Sequence, residues 1–133
     1  MMGSNLLRVI VIGLDHLPPS ELNPNKLRRL HWTKRSEFSR VARAEMFYLA
    51  RQAWMKQAVT TPIQLAEITY YFTFNDKRKH DGDNLLASCK AYTDGLVDAG
   101  VIARDDLTCV KRLIVEGEFK KVASMTVTVR ELK

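Results

Sequence analysis

A chain of 133 residues with 46% hydrophobic and 27% charged residues is the size of one domain, can bury a single core, and is too apolar to be a disordered segment. No window approaches the roughly 18–20 apolar residues of a membrane span, and Met1-Met2-Gly3-Ser4-Asn5 lacks the charged region and cleavage site of a signal peptide. The two cysteines, Cys89 and Cys109, build no disulfide framework and lie in no CxxC pair, so a reducing, cytoplasmic compartment is expected. The net charge of +6 favours a polyanionic partner such as nucleic acid.

Leu6 to Leu14 is a nearly unbroken apolar run rich in Val and Ile and reads as a buried strand. Leu17-Pro18-Pro19-Ser20 ends it, because proline removes a ladder donor. Asp15 to Arg35 has no usable periodicity and reads as a long loop, of the kind that often carries function. It holds a basic run, Lys26, Arg28, Arg29, His31, Lys34 and Arg35. Ser36 is the expected N-cap of a helix reaching about Val59, with a buried stripe of Ala42, Met46, Leu49, Ala50, Ala53 and Trp54.

After Thr61-Pro62 the period becomes two. Ala66, Ile68, Tyr70, Phe72 and Phe74 alternate with Glu67, Thr69, Tyr71 and Thr73, predicting a strand with one covered face. A second basic run, Lys77-Arg78-Lys79-His80, precedes a helix expected from about Asp83 to Ala99 and stopped by Gly100. Two strands follow, about Cys109 to Phe119 and then Ala123 to Arg130. Lys120-Lys121 between them suggests an antiparallel hairpin. The order β-α-β-α-β-β predicts a single α+β domain, with a mixed, mostly antiparallel sheet of about four strands packed with two main helices.

The chemistry-bearing stretch is His80-Asp81-Gly82-Asp83-Asn84, followed later by Arg104-Asp105-Asp106. On a wheel advancing about 100° per residue, Ala87, Lys90, Asp94 and Asp98 fall near Asp83. Leu85, Cys89, Tyr92, Leu96 and Ala99 fall opposite. The helix should therefore pack its apolar stripe on the sheet and turn an Asp–Lys–Asp line outward, with Asp81 just before its N-terminus and Gly82 permitting a tight approach. Carboxylates forced together repel one another unless a cation joins them, and hard oxygen donors suit Mg²⁺ or Mn²⁺. Such an ion supplies what phosphodiester hydrolysis needs, with a nearby lysine to meet charge developing on the phosphoryl group. His16, His31 and His80 show no zinc spacing.

Plainer accounts of these residues also stand. Asp83-Asn84 can be a helix cap that favours the helix dipole, Lys90 and Asp94 an i,i+4 surface pair, and Asp105-Asp106 an ordinary loop. An EF-hand is excluded, because Leu86 stands where the loop needs glycine and Tyr92 where it needs glutamate.

Taken in order, Asp81-Gly82-Asp83-Asn84, Lys90, Asp94-Gly95-Leu96-Val97-Asp98-Ala99-Gly100-Val101-Ile102 and Asp105-Asp106 resemble the signature of the RusA family of Holliday junction resolvases. Leu17-Pro18-Pro19-Ser20 resembles that family's Pro-Pro-Ser turn. The resemblance implies a RusA-like fold and a homodimeric, Mg²⁺-dependent endodeoxyribonuclease, often encoded by prophages, that resolves four-way DNA junctions in recombination and repair. It implies metal ligation by Asp81, Asp83 and Asp106, with Asp105 as the alternative in the acidic pair. Lys90 stands for the family's lysine, which often falls one helical turn earlier, where this chain has Ala87. Lys26, Arg28, Arg29, Lys34, Arg35, Arg78 and Lys79 are the expected DNA-binding residues. Two further readings stay open: a basic junction-binding dimer without catalysis, and a nuclease for other branched DNA.

Overall fold

The computed structural model describes residues 6–24 and 31–133; Lys26, Arg28 and Arg29 of the first basic run lie outside them. Strand β1 is Val9–Leu14, helix α1 Trp32–Trp54, β2 Ala66–Phe74, α2 Gly82–Ala87, α3 Lys90–Asp98, β3 Val110–Phe119 and β4 Ser124–Glu131, with a 3-10 turn at Ser20–Leu22. The four strands form one mixed sheet in the order β1-β4-β2-β3. The α+β architecture matches the sequence expectation, and the alternations in β2 and β4 translate directly into a buried face. Ile68, Tyr70 and Phe72 of β2 and Met125, Val127 and Val129 of β4 are fully buried. Against them pack Ala42, Met46, Ala50 and Trp54 of α1 and Tyr92 and Leu96 of α3. Burial of each large side chain here contributes about 1.5–3 kcal/mol.

The strand pairing differs from the expected hairpin. β2 lies between β3 and β4, parallel to β3 and antiparallel to β4. Residues 120–123 pass the end of β2, held by the Lys120 N–H on the Phe74 carbonyl at 3.0 Å and by Lys121 at φ 65°. Four extended residues reach about 13 Å, enough to step over one strand to the next but one, about 10 Å away. β1 is also not buried on both sides. It is an edge strand whose Ile10, Ile12 and Leu14 point inward while Val11 is 60% exposed.

Three further boundaries move. Helix α1 starts at Trp32 rather than after Ser36, because the His31 imidazole accepts the Thr33 N–H at 3.3 Å and caps the end. Lys34 and Arg35 therefore sit on its first turn rather than in a loop. It stops at Trp54, short of Val59, where the indole N–H donates to the Thr60 carbonyl at 3.0 Å and folds the chain back. The helix expected from Asp83 to Ala99 is broken at Ser88-Cys89. There the Cys89 N–H bonds only three residues back to Leu86, and the Ser88 hydroxyl donates to the Asn84 carbonyl at 2.8 Å. Gly100, at φ 79°, ends α3 as expected, with the Val101 N–H closing on the Leu96 carbonyl.

His16 and Glu45 tie the segment after β1 to α1, Nε2 to Oε2 at 2.7 Å. The glutamate hydrogen bond raises the His16 pKa above its ordinary 6.5. A raised histidine contributes stability that is complete below the unfolded value and lost as pH climbs through the folded one. The melting temperature is expected to fall between pH 6 and pH 8 more in the native protein than in Glu45→Gln. Parallel pH profiles would show that the pair contributes nothing.

Candidate functional site

The acidic residues singled out above reach the surface on α2, α3 and the loop before β3. Asp81 caps α2, its Oδ1 accepting the Asp83 N–H at 2.9 Å, and both residues are exposed. The cap is therefore Asp81 rather than the Asp83-Asn84 pair expected to supply it, and Asp83 lies in the first turn of α2. The Asp83 carboxylate has no hydrogen bond or ion pair among the described residues. A Cβ on Gly82 would meet only Val115 Cγ1 at 4.0 Å, so no tight approach requires that glycine.

On α3, Lys90 Nζ donates to Asp94 Oδ1 at 2.9 Å and also to Asp105 from the loop. The two carboxylates raise the Lys90 pKa, and the ammonium holds Asp105 below the usual carboxylate range. Thus the i,i+4 pair expected from spacing is present, but it extends to a residue fifteen positions away. Asp106 turns elsewhere. Its Oδ1 accepts the Thr108 N–H at 2.9 Å and the Thr108 hydroxyl, which lower its pKa, with Arg104 Nε 4.0 Å away. Asp105, the alternative ligand, is the member of the acidic pair that reaches α3.

The network continues onto α1. Arg43 grips Asp98 with two hydrogen bonds, at 2.5 and 2.8 Å, and its positive charge is further favoured by Asp94 and Asp105. Three small hollows lie here, neighbours sharing lining residues. Lys79, Asp81 and Asn84 line the first, which meets the second at Ser88; Lys90 and Asp94 line the second; Arg40, Arg43 and Asp94 line the third. Asp81 thus lines one hollow and the Lys90–Asp94 pair the next, with Ser88 common to both, while Asp83 and Asp105 line none of the three.

Of the remaining predicted DNA contacts, Lys79 lines the first hollow, and Lys34 and Arg35 are exposed close in sequence to residues of the third. Arg78 instead folds back on Asp76, donating to it through both its backbone and its guanidinium. His80 shares Asp76 and stacks on Phe74 at 3.8 Å. Arg40 and Arg43 were not anticipated as site residues. Their signal was an i,i+3 pair off the apolar stripe of α1, without any cue to the helix it would face. Cys89 is no nucleophile, since burial pushes its thiol up to about 12.

The aspartate oxygens are chemically suited to Mg²⁺. Their arrangement is not a metal cage, because no three His, Cys, Asp or Glu side chains among the described residues group so as to hold one ion. Lysine and arginine serve instead as counter-ions to Asp94, Asp98 and Asp105.

Fold and surface together define a basic two-layer α+β domain with a face of alternating carboxylates and cations. No family model matches the chain. An uncharacterized protein of Xylella fastidiosa is 30% identical over 115 residues, covering 84% of this chain and 71% of that protein. The chain belongs to the same family as that protein. Among the described residues no helix is long and apolar enough to cross a membrane.

Proposed function

We propose that the protein is a structure-selective endodeoxyribonuclease of the RusA type, acting on branched DNA and above all on four-way junctions. In this reading it works in the cytoplasm as a homodimer, with Mg²⁺ as its cofactor and Mn²⁺ as a substitute. The observation that carries it is the meeting of two separated motif elements, Lys90 and Asp94 on α3 with Asp105 from the loop; the hollow lined by Lys90 and Asp94 shares Ser88 with the one lined by Asp81. In such an enzyme Lys79, Arg40 and Arg43 bind backbone phosphates along these hollows. Lys90 faces the phosphoryl group as its charge develops. To hold a hard cation, Asp81, Asp83 and one of Asp105 or Asp106 would have to be brought together; the ion would then supply an acidified water and a neutralised phosphoryl oxygen. Among the described residues the carboxylates as folded do not form a joint ligand set.

That last point favours a second reading, a junction-binding dimer without catalysis, in which the acidic residues are counter-ions only. A gel of end-labelled four-way junction, with and without Mg²⁺ and beside a linear duplex, separates the two. The nuclease reading expects nicks in the junction alone and only with the metal. Retarded but intact junction under all conditions supports the binding protein, and equal cutting of the linear duplex removes the selectivity for branches.

A further inference from the structure

The proposed homodimer leaves open which surface a second copy occupies, and β3 supplies the candidate. It ends the sheet, and among the described residues nothing pairs with its outer side. From Arg112 to Phe119 its pairing with β2 runs without irregularity. This makes a straight edge of about 26 Å, at roughly 3.3 Å per residue, with unpaired backbone donors and acceptors of the kind that recruit another strand. On the helix side α2 lies near Val115, but Leu113 is still 48% exposed and Phe119 40%.

The charges along this strand are polarised. Its first half carries Lys111 and Arg112, its second Glu116 and Glu118. A parallel neighbour would set like charge against like, whereas an antiparallel copy sets each half against its opposite. Residues that oppose each other across a two-fold axis normal to the sheet must point to the same face, so they differ by an even number of positions. With the axis at Ile114, Arg112 opposes Glu116 of the second copy, and Leu113 opposes its Val115. Arg112 and Glu116 do share a face, the one that carries Glu67 and Tyr71 on β2. Arg112 reaches Glu67 at 3.2 Å, while Glu116 has no ion-pair partner among the described residues.

We infer that the protein dimerises by antiparallel pairing of β3 with β3 of a second copy, joining two four-stranded sheets into one of eight strands, with Arg112 and Glu116 as the reciprocal charge pair that sets the register. The inference rests on the proposed function only for the existence of a dimer, and it is tested without DNA or metal.

Masses in solution are measured by light scattering for the native chain, for Arg112→Glu, for Glu116→Arg and for a mixture of the two variants. The native chain is expected to be a dimer. Each variant alone faces two like-charged contacts and should dimerise at least roughly tenfold more weakly. In the mixture both contacts regain opposite charges, and a 1:1 heterodimer should form. Glu116→Arg breaks no ion pair among the described residues, so it carries the test if Arg112→Glu fails to fold. A native monomer, variants that dimerise as the native chain does, or a mixture without heterodimer would each overturn the inference. A monomer that still nicks junctions leaves the nuclease reading standing, and a β3-paired dimer that never nicks leaves this one.

Discussion

Replacing Asp105 by asparagine is expected to slow single-turnover nicking of a four-way junction by roughly two to three orders of magnitude, whereas Asp106→Asn retains most of the native rate. The two residues are neighbours with the same charge, and only their surroundings separate them. Asp105 lies on Lys90, which holds its carboxyl below the usual carboxylate range. Asp106 spends its Oδ1 on the Thr108 backbone and hydroxyl. An asparagine oxygen can accept both bonds, so the turn and the fold survive that substitution. Melting curves of both variants establish that they are folded, and the opposite order of activities would move the site to Asp106.

Gly95→Ala is expected to destabilise the protein by about 2 kcal/mol, against a total stability of order 5–15 kcal/mol. A Cβ at this position would stand 2.6 Å from the Arg43 carbonyl oxygen, 2.8 Å from Met46 Cβ and 3.0 Å from the Phe47 nitrogen. Two of these are backbone atoms of α1, so relief requires the helices to part. Overpacking of this kind costs up to about 3 kcal/mol, offset by about 1 kcal/mol from the better helix propensity of alanine. Gly95→Val adds a branched side chain and should leave little folded protein at room temperature. Urea denaturation measures both, with Gly82→Ala as the control, since its Cβ enters open space near Val115. Equal midpoints for Gly95→Ala and the native chain would show that α1 and α3 are not so closely packed.

These two residues mark where sequence reading succeeds and where it stops. Local periodicity was sufficient for β2, β4 and the buried stripe of α1, because alternation and helical spacing depend only on which face is covered. The stop at Gly100 was equally legible, since a positive φ after a helix is a local demand. The Lys90–Asp94 pair follows from a spacing of four residues, whereas the cap falls on Asp81, two residues before the Asp83-Asn84 pair expected to supply it. What depends on distant chain was not legible. Nothing in Lys120-Lys121 reveals that β2 will slide between β3 and β4, and nothing in Arg43 reveals Asp98, fifty-five positions away. The break at Ser88-Cys89 combines a serine that hydrogen-bonds its own helix with a cysteine drawn into the core beside Met125. The faces expected from the wheel nonetheless survive the break, with Asp83, Ala87 and Lys90 exposed and Cys89, Tyr92 and Leu96 buried. The close approach was assigned to the wrong glycine for a similar reason, because the backbone that Gly95 meets belongs to another helix.

A nuclease of this kind requires the Asp81–Asp83 turn and the Lys90–Asp94–Asp105 network to act together on a phosphodiester. The most direct measurement is cleavage and binding of one labelled four-way junction by the native protein and by Asp83→Asn in Mg²⁺. The Asp83 carboxylate supports no internal contact among the described residues, so the variant should fold and bind within about a factor of three of the native affinity while its nicking disappears. Nicking by Asp83→Asn at the native rate would contradict it.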